Sequence, residues 1–281
     1  MNDLYTFDKD QTTATITYDT VIDAYSILFD RLRVPWRRVA GDCGDIGGQK
    51  SHEFHFPAEI GQDSLLICSK CESGQNSEIE GVNNITECQN CGGSLTLSKG
   101  IEVAHAFFLS DTYSTKLNAT FIGMDKKVHH LQMGCYGIGI SRLIGACVEV
   151  LSTHQELRWP ETIAPFSVCV ICPKAGSREA IAMNQALGLY EQLNDSHKGL
   201  FPNDVILDDR DKVTVGKKLR DAYKIGYTYI ILFGKNCIDK DNPEVELHCP
   251  LHYCAAEDKK QMTTIPLANV NSILADKLLI I

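Results

Sequence analysis

The stretch Met133-Gly-Cys-Tyr-Gly-Ile-Gly-Ile-Ser-Arg142 carries the strongest signal for the fold and the site of this chain. Two glycines, Gly137 and Gly139, stand where an apolar strand pattern passes into a helical pattern. Three interpretations are open: a tight turn with a surface arginine, a dinucleotide-binding G-x-G-x-x-G fingerprint, or a G-x-G-x-x-R nucleotide site. The fingerprint fits worst, because Arg142 replaces its last glycine.

In the third interpretation the glycines and the arginine have separate tasks. Gly137 and Gly139 let a strand pass close beneath a nucleotide, since neither carries a side chain. Arg142, on the first turn of the following helix, then directs its guanidinium at a phosphate. Arginine suits this task because its planar fork donates two parallel hydrogen bonds and does not lose its charge.

The composition is that of an ordinary globular protein with enough apolar residues for two cores. The chain has 281 residues, of which 44% are hydrophobic and 22% charged, and its formal net charge is −9. An acidic chain is not expected to hold nucleic acid by bulk electrostatics, although a local basic patch can still bind RNA. No apolar run approaches the roughly 20 residues that span a bilayer, and the first residues show no secretory signal or mitochondrial presequence.

Two regions of different pattern predict two domains. Apolar residues recur at helical spacing between Asp10 and Arg33, and strand-like segments follow. Two prolines interrupt the chain within residues 158–165, and strand and helix patterns alternate behind them, which is typical of an α/β sheet. We therefore expect one domain over residues 1–160 and a second over residues 164–281.

Four of the twelve cysteines form two C-x-x-C pairs, Cys68 with Cys71 and Cys88 with Cys91, separated by sixteen residues. Each pair turns tightly enough to direct two thiolates at one point, and two pairs complete a tetrahedron around zinc. The alternative is four reduced, buried thiols without metal. We expect a small four-cysteine insert at residues 65–95 that holds a structural zinc ion.

The order and spacing of several motifs resemble those of prolyl-tRNA synthetases, which are class II aminoacyl-tRNA synthetases. In this comparison the G-x-G-x-x-R run is the third signature motif of the class. The likeness covers nearly the whole chain, and the short cysteine-paired insert is similar to the mitochondrial branch of the bacterial and mitochondrial type. It is carried by residues 45–54, 100–109, 133–142, 158–165, 208–210 and 214–222.

The resemblance implies an α+β catalytic part, built on the antiparallel sheet of the class, followed by an α/β anticodon-binding domain. The implied reaction is the ATP-dependent activation of L-proline and transfer of the prolyl group to tRNA(Pro), with Mg²⁺ assisting. It needs no side-chain nucleophile, because the proline carboxylate attacks the α-phosphate and catalysis rests on positioning and charge neutralisation. The likeness also implies a location in the mitochondrial matrix, with the cytoplasm as the alternative, and no membrane partner.

The same resemblance assigns residues to the nucleotide side of the site. Arg142 would neutralise the γ-phosphate of ATP as pyrophosphate leaves. Gly137 and Gly139 would lie beneath the nucleotide, and Glu102 and His105 would line its pocket. Arg142, Glu102 and His105 are therefore the predicted catalytic residues.

Three further residues fall on the proline side, namely Asp3, Phe107 and Cys135. By the resemblance, the Asp3 carboxylate would accept hydrogen bonds from the imino group of proline. Each candidate also has a structural alternative: Phe107 and Cys135 as plain core residues, and His105 as a hydrogen-bonded structural histidine. Their joint order along the chain favours the functional interpretation.

A local basic edge in the second domain predicts RNA contact. Its candidate anticodon-binding residues are Arg210, Lys217 and Lys218. Aspartates interleave with them, Asp208 and Asp221 among others, so the alternative is a solvated helix face.

The resemblance places residues 1–5 in the last strand of the second class II motif. It implies an N-terminally truncated family member, without the first motif, which builds the homodimer interface, and without the second-motif arginine. Loss of such charge stabilisation typically costs on the order of a hundred-fold or more in rate. The alternative function is therefore a tRNA-binding or regulatory protein without catalysis. A zinc-ribbon nucleic-acid adaptor fits the order of the motifs poorly.

Overall fold

The computed structural model describes residues 1–71, 73–79, 87–239, 241–250 and 261–279. Residues 80–86 of the predicted insert, and residues 251–260 and 280–281 of the predicted second domain, lie outside the described residues. The chain forms two compact units, Met1–Val150 and Leu151–Ile281. The first unit thus ends before residue 160, where the sequence predicts the first domain to end. Within the described ranges, no helix has both the length and the apolar character that a membrane span requires.

The first unit is built on a sheet whose neighbouring strands are mostly antiparallel. Its described strands run in the order β1-β9-β6-β3-β2-β5-β4, β2 and β5 are parallel, and β7 and β8 form a separate hairpin. The antiparallel sheet expected from the sequence is therefore present. The elements are β1 (Asn2–Asp8), α1 (Gln11–Leu32), β2 (Arg37–Gly41), β3 (Lys50–Pro57), β4 (Asp63–Cys68), β5 (Gly74–Asn76), β6 (Leu95–Ser110), α2 (Thr112–Leu117), β7 (Thr120–Ile122), β8 (Val128–His130), β9 (Gln132–Ile138) and α3 (Ile140–Leu151).

Helix α1 covers one face of this sheet. The Asp10 side chain caps its first turn, and Arg33 ends it in the left-handed conformation. Its buried side includes Tyr18, Tyr25 and Phe29, whose rings contact phenylalanines of β3 and β6. Burial of each such ring is worth roughly 1.5–3 kcal/mol, so this contact fixes which face of the sheet is covered. The residues that alternate with the α1-facing positions point to the opposite face.

The second unit is a mixed sheet covered by helices on both faces, which agrees with the predicted α/β pattern. Its described strands run in the order β11-β10-β12-β13-β14, with β10 parallel to β11 and β12. Leu189 of α4 and Leu274 of α6 belong to one core cluster, and Ala222 of α5 belongs to another on the opposite face. The elements are β10 (Val168–Ile171), α4 (Met183–Asn194), β11 (Val205–Asp208), α5 (Val215–Ile225), β12 (Tyr229–Leu232), β13 (Glu244–Cys249), β14 (Gln261–Pro266) and α6 (Val270–Leu279).

Candidate functional site

Strand register brings several predicted site residues into one row across the first sheet. Asp3 of β1 lies opposite Gly137 of β9, and Gly137 lies opposite His105 of β6. His105 in turn lies opposite Glu53 of β3. Residues directly opposite each other share a face, so this row points away from α1.

A second row on the same face holds the predicted proline-side residues. Cys135 of β9 lies opposite Phe107 of β6, two positions along from the first row. The Phe107 and His105 rings are stacked, with centroids 3.8 Å apart. Burial raises the pKa of the Cys135 thiol, so this side chain is a neutral, weakly polar group. The nucleotide-side and proline-side candidates are therefore neighbours, with Asp3 exposed at the edge strand.

Of the three predicted catalytic residues, Glu102 contacts both of the others. Arg142, on the first turn of α3, donates from Nη1 to the Glu102 backbone oxygen at 3.0 Å and to Glu102 Oε2 at 3.2 Å. Glu102 Oε1 lies 3.0 Å from His105 Nδ1. The hydrogen bond from His105 and, to a lesser degree, the charge of Arg142 lower the pKa of the Glu102 carboxyl, which stays ionised. The Arg142 side chain remains 59% exposed, so its other N–H donors are available to a ligand.

Gly137 and Gly139 carry no side chains, so neither adds atoms to the sheet face between the first-row residues. A Cβ added to Gly137 would lie 2.9 Å from Met1 Cε and 3.5 Å from Asp3 Oδ1. The Gly139 N–H donates to the Val103 oxygen at 3.0 Å, at the point where β9 gives way to α3. Gly137 itself therefore places no side chain between Asp3 and His105, and the Met1 methyl group lies over this position.

The structure adds an acidic residue that sequence reasoning did not single out. Glu53 is 6% exposed and its Oε2 accepts from His55 Nε2 at 2.8 Å and from Asn76 Nδ2 at 2.9 Å. Its Oε1 lies 4.0 Å from His105 Nε2. The available signal was the alternation of polar and aromatic residues over Glu53–Phe56 of β3, Glu-Phe-His-Phe, which predicts a strand with one polar face.

The four paired cysteines converge, and their geometry suits a metal ion. Their sulfur atoms all lie within 4.8 Å of one another, with Cys68 and Cys91 at 3.5 Å and Cys71 and Cys88 at 3.6 Å. Zn–S bonds of about 2.3 Å in a tetrahedron place sulfurs about 3.8 Å apart, which is close to the separations of these two pairs. The Ser73 hydroxyl lies beside Cys71 and Cys88 and lowers the pKa of both thiols, whereas the neighbouring Cys71 and Cys68 thiols raise the pKa of Cys91 to about 12.

In the second unit, two of the three predicted RNA contacts are at the surface. Arg210 is paired with Asp208 at 2.7 Å and with Asp221 at 2.9 Å. Lys217 is 60% exposed and lies 3.9 Å from the second oxygen of Asp221. Both side chains are accessible, although Arg210 is already engaged by carboxylates.

Lys218 does not fit the prediction of an RNA contact, and we correct it. Its side chain is fully buried, and Nζ donates to the backbone oxygens of Cys172 at 2.9 Å and Asp208 at 3.1 Å. A buried ammonium is tolerated where it satisfies buried acceptors in this way. Lys218 therefore joins α5 to the ends of β10 and β11, and it is a structural residue.

A groove of about 970 Å³ lies elsewhere in the first unit, between α1, β2 and the four-cysteine segment. His52 lines it on the α1 side of the sheet, and its Nδ1 lies 2.8 Å from the Tyr18 hydroxyl. Burial lowers the pKa of His52 to about 4, so this ring is neutral at physiological pH. Apart from Cys71 and Cys88, none of the predicted site residues lines this groove, and the candidate site is the opposite face.

Family comparisons match both units. Residues 1–151 match the model described as tRNA synthetase class II core domain (G, H, P, S and T). Residues 167–277 match the model described as anticodon binding domain. Both matches agree with the fold class expected from the sequence.

Curated relatives of this chain are named as proline–tRNA ligases. A probable mitochondrial proline–tRNA ligase of Mus musculus is 44% identical over 239 residues, which cover 85% of this chain and 50% of the mouse protein. The probable mitochondrial enzyme of Schizosaccharomyces pombe is 39% identical, covering 83% and 54%. The proline–tRNA ligase of Ehrlichia canis is 35% identical, covering 87% and 58%. The chain spans about half the length of the curated relatives it matches.

A solved structure confirms the fold independently of close sequence likeness. The prolyl-tRNA synthetase of Cryptosporidium parvum, solved with L-proline and AMP, superposes with a TM-score of 0.68 at 16% identity. The match covers 98% of this chain and 47% of that protein. Because the class II core model accounts for more than half of the 281 residues, the chain belongs to the class II tRNA synthetases of the G, H, P, S and T group.

Proposed function

We propose that this chain acts as a proline–tRNA ligase, which activates L-proline with ATP and passes the prolyl group to tRNA(Pro). The observation that carries the proposal is the sheet face away from α1, on which Asp3, His105 and Phe107 lie together with Arg142 beside them. Support for the substrate comes from relatives of up to 44% identity that are named as proline–tRNA ligases.

On the nucleotide side, Arg142 would bind the γ-phosphate of ATP. Glu102 fixes one nitrogen of its guanidinium and His105 fixes Glu102, so the arginine is oriented before ATP arrives. Its remaining donors suit phosphate oxygens, which accept paired hydrogen bonds. Mg²⁺ would bind with ATP, mainly through phosphate oxygens, and would share the neutralisation of their charge.

On the proline side, Asp3 would accept the charged imino group, and Phe107 and Cys135 would form the apolar wall. The neutral Cys135 thiol and the Phe107 ring offer no competing charge to the pyrrolidine ring. The proline carboxylate would then attack the α-phosphate and release pyrophosphate. Binding energy in this scheme is used to position the two substrates.

The second unit would bind the anticodon stem and loop of tRNA(Pro). Arg210 and Lys217 are the proposed contacts, since both side chains reach the surface.

We also propose a mitochondrial location, which is supported by the names of the mouse and fission-yeast relatives. The four-cysteine cluster would hold a structural zinc ion, because four thiolates leave no open coordination position.

The proposal is tested by amino-acid-dependent exchange of pyrophosphate into ATP, measured on the purified chain. The panel is proline, glycine, histidine, serine and threonine, the substrates of the family to which the chain belongs. We expect exchange with proline alone, followed by prolyl transfer to tRNA(Pro). Exchange with another amino acid would contradict the assignment of proline as the substrate. If the chain binds tRNA but shows no exchange, the proposed ligase activity fails and the non-catalytic tRNA-binding function is favoured.

A further inference from the structure

A buried asparagine joins the four-cysteine segment to the candidate nucleotide site. Asn76, the last residue of β5, is 2% exposed, and its Nδ2 donates to Glu53 Oε2 at 2.9 Å. Its Oδ1 accepts the Glu78 backbone N–H at 3.1 Å. Because Oδ1 accepts the Glu78 N–H, the amide nitrogen of Asn76 is the end that faces Glu53.

The Glu53 carboxylate is in turn directed at His105. Its Oε1 lies 4.0 Å from His105 Nε2, a buried nitrogen without a hydrogen bond among the described residues. A Cβ added to Gly41 would lie 2.5 Å from Glu53 Oε1, so only a glycine there leaves room for this carboxylate. At 4.0 Å the two atoms are too far apart for a hydrogen bond, so Glu53 acts on the His105 ring through its charge.

The chain of contacts ends at Arg142. His105 Nδ1 lies 3.0 Å from Glu102 Oε1, and Glu102 Oε2 lies 3.2 Å from Arg142 Nη1. Asn76, Glu53, His105, Glu102 and Arg142 thus lie in a polar line from β5 to α3, in which every step is a hydrogen bond except the 4.0 Å step from Glu53 to His105.

The position of Asn76 depends on the first cysteine pair. The Cys68 N–H donates to the Ser73 oxygen at 2.8 Å, and β5 begins directly after Ser73. Asn76 then pairs with Leu65 of β4, the strand that ends at Cys68. Whatever fixes the Cys68–Cys71 turn therefore also fixes the register of Asn76.

We propose that Asn76 and Glu53 are positioning residues for the nucleotide site, and that the metal-bound cysteine segment orients Arg142 through them. The inference rests on the proposed function for the identity of the ligand, ATP. It gives the cysteine segment a second task beyond its own stability. Occupancy of the four thiolates by metal would then raise the affinity for ATP.

The first test compares Asn76→Leu and Glu53→Gln with Asn184→Leu, which changes an exposed asparagine of the second unit. We measure zinc content, thermal unfolding, ATP affinity by calorimetry, and the ¹⁵N resonances of the His105 ring. For folded, zinc-loaded Asn76→Leu and Glu53→Gln we expect a shifted His105 resonance and an ATP affinity weaker by about 3- to 30-fold. Asn184→Leu should match the wild type in all four measurements.

Unchanged His105 resonances and unchanged ATP affinity in a folded Asn76→Leu protein would overturn the inference. If that variant does not fold, Glu53→Gln, which preserves side-chain size, decides between the two outcomes by the same two readouts. If the wild type itself binds no ATP, the proposed function fails, and the His105 resonance still decides whether Asn76 positions the ring.

The role of the metal is tested by a double-mutant cycle. Cys71→Ser with Cys88→Ser, which removes two thiolates, should shift the His105 resonance and weaken ATP binding in the wild-type background. In the Asn76→Leu background the same change should have little further effect, because the link is already broken. Fully additive effects would show that the cysteine segment does not act through Asn76.

Discussion

At the scale of single residues, the number of unused donors separates two arginines that were both predicted to bind a ligand. Arg142 commits Nη1 to Glu102 and keeps its other donors. Arg210 commits Nε, Nη1 and Nη2 to Asp208 and Asp221. Both were predicted to contact phosphates or RNA. Arg142 offers more unused donors to a ligand, and Arg210 would contact RNA through the remaining N–H groups of Nη1 and Nη2. The partners of Arg210 are Asp208, two residues before it, and Asp221 of α5. The sequence motif does not predict that these carboxylates pair with Arg210.

Lys218 and Lys217 form a matched pair for a test at this scale. Lys218→Met should destabilise the protein by about 1–3 kcal/mol, because two buried carbonyl oxygens lose their donor. Lys217→Met, at an exposed site, should change stability by no more than about 0.5 kcal/mol and should weaken tRNA binding. Urea unfolding and filter binding measure the two effects. A stable Lys218→Met protein with weakened tRNA binding would contradict this correction and support the original prediction that Lys218 contacts RNA.

At the scale of elements, the sequence predicted what depends on neighbours along the chain. Helix α1 was expected over Asp10–Arg33 and is observed over Gln11–Leu32, because its apolar spacing and its capping aspartate are local features. The two cysteine pairs were likewise expected to converge from their spacing, and they do. The strand-to-helix passage from β9 into α3 also lies where the glycine motif placed it.

What the sequence did not predict depends on the pairing of distant strands. Asn76 meets Glu53 only because β5 pairs with β2 and β2 pairs with β3. The burial of Lys218 likewise depends on how α5 packs against β10 and β11. Strand partners are chosen by packing across the whole sheet, and a one-residue slip would turn Glu53 to the other face.

The four-cysteine segment gives the prediction at the scale of elements. We expect one zinc ion per chain, lost in the Cys71→Ser, Cys88→Ser double variant together with a lower unfolding temperature, since metal binding to a structural site contributes directly to folding. Cys43→Ser, a cysteine outside the cluster, should retain the zinc. Elemental analysis and thermal unfolding measure both properties. A folded wild-type protein without metal would contradict the zinc assignment.

At the scale of the whole molecule, two separately built units account for a chain whose net charge argues against simple nucleic-acid binding. With a formal charge of −9, the proposed RNA binding would rest on local features such as Lys217. Each unit has its own sheet, and the family models match the units separately. The α/β type of the second unit was predicted from its alternating strand and helix patterns, whereas the antiparallel sheet of the first unit was implied by the family resemblance.

The most direct test of the central claim compares the binding of ATP and AMP, each with L-proline, to the wild type, Arg142→Ala and Arg31→Ala. Arg31 is an exposed arginine of α1 outside the site and serves as the control. We predict that Arg142→Ala weakens ATP binding by at least about tenfold, the value of a charged hydrogen bond, and leaves AMP binding nearly unchanged. Arg31→Ala should match the wild type with both nucleotides. Equal ATP affinity in the wild type and Arg142→Ala would contradict the assignment of Arg142 to the γ-phosphate and, with it, the proposed site.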